Sequence, residues 1–239
     1  MASKTLHVDP KGEIFGRRYV WQLPVRITHW ADALAITVLF STGMFIGSPI
    51  LSPNGEAWRN FLMGRFREFH FIFAYVFLCG WLLRSYWFWT GNNYARSGFP
   101  MVWKRSWWND LTSQMWAYIK NNPGAPHLGH NALGGFTYTL TVILLGAFQL
   151  VTGFALYSET HPGGFWDRVF GWVIPLLGGP MSTRTWHHLA AWGFAIFVMI
   201  HVYIVFYDGV NYRSGLISSM ISGYKYYKDG DEDNASWIS

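Results

Sequence analysis

The chain has 239 residues, of which 51% are hydrophobic and only 13% charged, about half the ~25% usual in a soluble domain. So much apolar surface excludes an intrinsically disordered chain, and a single cysteine, Cys79, excludes an internal disulfide, a cysteine-ligated iron–sulfur cluster and a zinc ribbon. The net charge of +5 sits at the ends of apolar runs rather than in a patch, a pattern of membrane topology and not of nucleic-acid binding.

A spanning helix needs ~20 predominantly apolar residues, and four stretches meet that need. The spans are expected at about 25–47, 69–89, 133–157 and 185–207. The first is stopped by Ser48-Pro49, and the second is interrupted only by Arg84 near its end. Residues 1–20 and 229–239 read as polar tails flanking one transmembrane domain that covers the chain, and no signal peptide is evident. Trp-rich residues 104–120 and residues 165–177 read as short interfacial helices. The expected fold class is therefore an all-α integral membrane protein built as a four-transmembrane-helix bundle.

Orientation follows from Lys and Arg. With the N-terminus inside, the cytoplasmic segments carry 13 of them and the opposite side 5. That asymmetry places both termini in the cytoplasm of a multi-pass protein.

Four histidines lie in or at the edge of these spans: His29, His70, His187 and His201. An ionisable group in a span is costly and is a functional-site hypothesis by default. Helix direction puts His29 near the inner surface and His70 near the outer one. His201 follows His187 by fourteen residues, which is ~21 Å deeper and about 40° short of four full turns. The outer pair is then His70 with His187, and the inner pair His29 with His201. His188 falls on a different face. Two stacked pairs in a bundle suit two haem groups, each held through both axial positions. With no C-x-x-C-H motif, such haem is non-covalent. Zinc fits poorly, because it wants three or four ligands together.

Arg26, Arg67 and Arg184 each stand three residues before one of these histidines, one turn nearer the surface on the same face. There a guanidinium meets a haem propionate or simply snorkels to water. Arg84, fourteen residues after His70, is a further propionate partner for the inner haem. Gly43, Gly146 and Gly153 either admit the face of a porphyrin or let membrane helices approach closely. On the cytoplasmic side, Asp32 lies three residues from His29 on the same face, and His130 is either a second polar group of that side or an ordinary loop residue.

Several stretches carry a family resemblance: VRITHW (25–30), TGMFIGSP (42–49), FLMGRFREFHF (61–71), GHNALG (129–134), TGFALYSE (152–159) and TWHHLAAW (185–192) followed by His201. In this order they resemble the b-type cytochrome subunit of membrane-bound uptake nickel–iron hydrogenases and, more distantly, the cytochrome b subunits of formate dehydrogenases. The resemblance implies two haem b groups on His29, His70, His187 and His201, and a place in the bacterial inner membrane. It also implies anchoring of the iron–sulfur small subunit of a periplasm-facing hydrogenase, with the large subunit held indirectly, and electron delivery to quinone, for which Asp32 and His130 are the candidate quinone-side groups. The cytochrome subunit of another quinone-linked dehydrogenase, a self-contained b561-like quinone oxidoreductase and a haem-free anchor or transporter are the competing functions.

Overall fold

An apolar run in hydrocarbon must satisfy its own backbone polar groups, which a helix does within one segment. The computed structural model describes residues 6–8, 14–51, 60–121, 127–212 and 215–228. In chain order these form β1 (Leu6–Val8), β2 (Ile14–Tyr19), α1 (Leu23–Gly47), α2 (Leu62–Thr90), α3 (Asn93–Arg96), α4 (Arg105–Ile119) and α5 (Ala132–Tyr138). A π-helical segment (Thr139–Leu145) continues into α6 (Gly146–Ser158). Then follow α7 (Phe165–Phe170), α8 (Val173–Leu176), α9 (Pro180–Tyr212), α10 (Leu216–Ser222) and β3 (Tyr224–Lys228). Among the described residues, α1, α2, the stretch from α5 to α6, and α9 are long and apolar enough to cross a membrane. The expected four spans are present.

Two of them run past their apolar windows. α2 begins at Leu62 rather than near 69 and takes in Arg65, Arg67 and Glu68, the first and last of which pair at 3.1 Å. α9 begins at Pro180 rather than near 185. Proline suits the first helical turn, where an N–H would have no intrahelical partner. Hydropathy marks the part of a helix that crosses hydrocarbon, whereas backbone hydrogen bonding continues into the polar flank.

The contacts divide the chain into two compact units. The first comprises residues 1–29, 83–140 and 199–239. Its core gathers Val20, Trp21, Val25, Ala95, Leu128 and Tyr227. Asn92 ties it together, its Nδ2 donating to the Val20 carbonyl (3.0 Å) while its Oδ1 caps α3 at Ala95 N (2.9 Å). In the same unit β1, β2 and β3 form an antiparallel sheet in that order, with Gly16 opposite Tyr227 and Tyr19 opposite Tyr224. A side chain at position 16 would collide with the Tyr227 ring. The sheet corrects the reading of residues 1–20 as only a polar tail. Its two longer strands are about 200 residues apart in the chain, and a pairing that distant leaves no local pattern to read. Residues 229–239, the other expected tail, lie outside the described residues. α4 occupies the first expected interfacial segment, burying Trp107 and exposing Trp108 and Trp116.

Gly223 ends α10 at φ 86° and leads into β3. A Cβ there would come within 2.7 Å of the Trp21 carbonyl oxygen, and the left-handed conformation is costly for other residues. Gly223→Ala is expected to destabilise the protein by roughly 1–3 kcal/mol, read as a lower thermal midpoint in detergent with the helical circular dichroism retained.

The second unit comprises residues 30–82 and 141–198. Ala35, Phe77, Leu150, Phe154 and Phe194 form its core, and Phe154 stacks on Trp166 of α7 at 4.2 Å. α7 and α8 fall in the second expected interfacial segment. A π turn shifts the backbone hydrogen bonds from the i→i−4 pattern, and the Val142 carbonyl within it accepts from Trp81 Nε1 at 3.1 Å.

Candidate functional site

In the second unit, α2 presents His70 and α9 presents His187, with ring centroids 6.5 Å apart. Each ring is held from behind by a threonine. Thr42 Oγ1 lies 2.9 Å from His70 Nδ1 and gives its one proton to the Val38 carbonyl at 2.7 Å. Thr152 Oγ1 lies 2.9 Å from His187 Nδ1 and gives its proton to the Phe148 carbonyl at 2.8 Å. Both hydroxyl oxygens therefore accept from Nδ1–H, and this network assigns the tautomer whose bare Nε2 can bind metal. Gln149 agrees: its amide nitrogen sits 3.2 Å from His187 Nε2, where it donates to that lone pair.

The residue after each threonine is glycine. A Cβ at Gly43 would stand 3.3 Å from His70 Cε1, and one at Gly153 would stand 3.1 Å from His187 Cε1. The repeated Thr-Gly dipeptide is the sequence signal for the two threonines, which the histidine spacing did not point to. Gly146 is a correction: it faces Trp81 and Phe77, at 3.3 and 3.4 Å from a built Cβ, so it serves helix packing rather than a haem face. His188 turns toward Gly47, where a Cβ would be 2.6 Å from its Cε1. Arg67 is exposed, and Arg184 is an exposed residue 4.0 Å from Glu159. Asp32, in α1, packs its carboxylate against Gly80, and its Oδ1 is buried with no partner among the described residues.

In the first unit, His29 of α1 and His201 of α9 have ring centroids 6.2 Å apart. Arg26 donates to the Ile221 carbonyl of α10, and its Nε is buried without a partner among the described residues. Arg84 is 6% exposed. Its Nη2 donates to the Ala95 carbonyl (2.9 Å), its plane lies over Tyr138, and its buried Nη1 has no partner among the described residues.

His130 is firmly fixed. Ser97 Oγ donates to the Tyr94 carbonyl (2.7 Å) and accepts from both the backbone N (2.9 Å) and Nδ1 (3.1 Å) of His130. Trp21 meets the ring edge-on at 5.1 Å. His130 keeps some accessible surface yet is crowded on all sides, and this crowding governs its ionisation. Burial first, then the Arg84 and Lys225 cations with His201 and His29, lower its pKa from 6.5 to about 3. A base whose folded pKa lies below the unfolded value binds fewer protons when folded, so its neutral form stabilises above pH 6.5 and that contribution fades as pH falls toward 3. His130→Asn is expected to flatten the loss of thermal stability between pH 7 and pH 4.5, followed by differential scanning fluorimetry.

The histidine pairs can be tested against haem. Iron–imidazole bonds of ~2 Å on both sides of one iron put the ring centroids ~6 Å apart. The observed 6.2 and 6.5 Å match that requirement. No cluster of three or more metal-ligating side chains occurs among the described residues, so the donor set suits a metal that brings its own equatorial ligands. Residues 20–223 match the family model described as prokaryotic cytochrome b561. The chain belongs to that family. Proteins each named a "probable Ni/Fe-hydrogenase B-type cytochrome subunit" are similar along nearly their whole length. The one from Cupriavidus necator is 42% identical over 91% of both chains, and that from Azotobacter vinelandii is 41% identical over 90% of this chain and 91% of its own. A Ni/Fe-hydrogenase 1 relative from Escherichia coli K12 is 36% identical over 90% of this chain and 94% of its own. As a b561-family cytochrome this is a membrane protein, and the b-type designation implies haem b.

Proposed function

We propose that this b561-family chain anchors a nickel–iron hydrogenase in the bacterial cytoplasmic membrane and conducts its electrons to quinone. The names of its relatives support the partner. The observation that carries the reading is the pair of imidazole separations, 6.2 and 6.5 Å, each suited to one haem b. His70 and His187 would hold the outer haem, and His29 and His201 the inner one. Bound there, each haem would supply one-electron redox chemistry, and a pair of imidazoles for one iron suits electron transfer rather than reaction with a gas.

The remaining residues hold and orient. Thr42 and Thr152 fix the outer imidazoles, and Gly43 and Gly153 clear the space beside them. Arg67 and Arg184 serve the outer propionates, Arg26 and Arg84 the inner ones. The buried Arg84 Nη1 and Arg26 Nε, unpartnered among the described residues, suit a carboxylate at close range. His130 and Asp32 are the quinone-side groups. The iron–sulfur small subunit docks on the outer surface through the segments at 48–65 and 159–184, of which residues 52–59 lie outside the described set; the large subunit is held indirectly. Both termini face the cytoplasm, as the distribution of Lys and Arg indicates.

The test is purification from native membranes. Two haems per chain, copurified iron–sulfur and nickel–iron subunits, and hydrogen-dependent quinone reduction are expected. Copurification with a different dehydrogenase, or quinone reduction by the isolated chain from a small soluble donor, would replace this partner assignment.

A further inference from the structure

Building on the quinone reading above, we propose that Asp208 supplies the protons for quinol formation at the cytoplasmic side, with Tyr118 and Lys225 as its polar partners. Asp208 stands seven residues after His201 on α9, two turns and ~10 Å farther along nearly the same face. Its Oδ2 accepts from the Tyr118 hydroxyl of α4 at 2.9 Å. Its Oδ1 is buried with no partner among the described residues, and the same holds for the adjacent Tyr207 hydroxyl. The rings of Tyr118 and Tyr207 meet edge-on at 5.9 Å. From β3, Lys225 is 4% exposed and lies close enough to act on both Asp208 and His130. Its ammonium donates to the His127 carbonyl at 3.3 Å.

A carboxylate near the end of a membrane helix is expensive and is kept for a task. A purely structural one would have both oxygens satisfied. Here one oxygen is held and the other is left open beside a second open hydroxyl, the arrangement of a group that takes and gives a proton. Quinone consumes two electrons and two protons to become quinol, the electrons arriving from hydrogen oxidised by the partner. In each of two cycles the Asp208 O–H bond breaks, a quinol O–H bond forms, and the carboxylate regains a proton from cytoplasmic water. The Tyr118 hydroxyl and the Lys225 ammonium stabilise the anion between cycles.

The experiment uses Asp208→Asn in the intact membrane complex with hydrogen as donor and quinone as acceptor. Haem content and hydrogen-driven haem reduction without quinone are expected to stay at wild-type levels, while steady-state quinone reduction falls at least about 10-fold. Acetate, a small diffusible acid, restores part of the loss, and Asp208→Glu retains turnover. Turnover within about two-fold of wild type in Asp208→Asn, or a loss that acetate leaves untouched, overturns the assignment. If Asp208→Asn does not assemble, Tyr118→Phe decides. Slower turnover with an altered pH profile supports the proposal, and wild-type kinetics and profile reject it. A wild-type complex whose haem is reduced by hydrogen but never oxidised by quinone removes the underlying reading itself.

Discussion

His187→Ala is expected to leave the purified complex with one haem per chain instead of two, and to lower hydrogen-driven quinone reduction by more than about 100-fold. The size of the effect follows from coordination. Without the His187 side chain, His70 is still held in place by Thr42 but has no second imidazole facing it, and a single histidine would hold a haem too weakly to survive purification. His70→Ala has the same outcome. His29 and His201, in the other unit, keep their own separation of 6.2 Å, so the haem they would hold is expected to stay. A haem assay against protein concentration, with reduced-minus-oxidised spectra, gives the result. Two haems retained in His187→Ala would refute the outer pairing. Thr152→Val gives the graded version, weakening haem retention about 10-fold because it removes only the support behind Nδ1.

Gly153→Val is expected to empty the same site without touching a ligand. The built Cβ already stands 3.1 Å from His187 Cε1, tighter than ordinary van der Waals contact, and valine adds two further carbons on a stiff χ1. The imidazole must swing away from the Thr152 hydroxyl, and both its direction and its tautomer are lost. Haem stoichiometry should fall from two toward one. Gly209→Ala is the control: nothing lies within 4 Å of its Cβ, so haem content and quinone reduction stay unchanged. Equal behaviour of the two variants would show that Gly153 is not reserved for the histidine.

The proximity of His70 to His187 and of His29 to His201 was legible in the sequence because two numbers sufficed, the rise of a helix and the direction in which each span crosses. The spans were legible for a similar reason, since hydrocarbon thickness sets their length. Packing detail was not. Gly43, Gly146 and Gly153 look alike in a string of letters, yet the first and last face imidazoles while Gly146 faces Trp81 and Phe77, a difference set by helix rotation. The π-helical segment between α5 and α6 left no compositional mark, being a plain run of Thr, Leu, Val and Ile. Tyr118 and Asp208 are ninety residues apart, and their hydrogen bond could be found only by folding.

The ribbon of β2 and β3 carries a consequence for biogenesis. Ile14–Tyr19 leaves the ribosome early, but Tyr224–Lys228 follows only after all four spans have been made. At about 5–20 residues per second, the early strand waits some 10–40 s with its inner edge unmatched. Insertion of the helices and closure of the ribbon are thus separated in time, and β3 acts as the latch that joins the two ends of this unit only after the spans are in place.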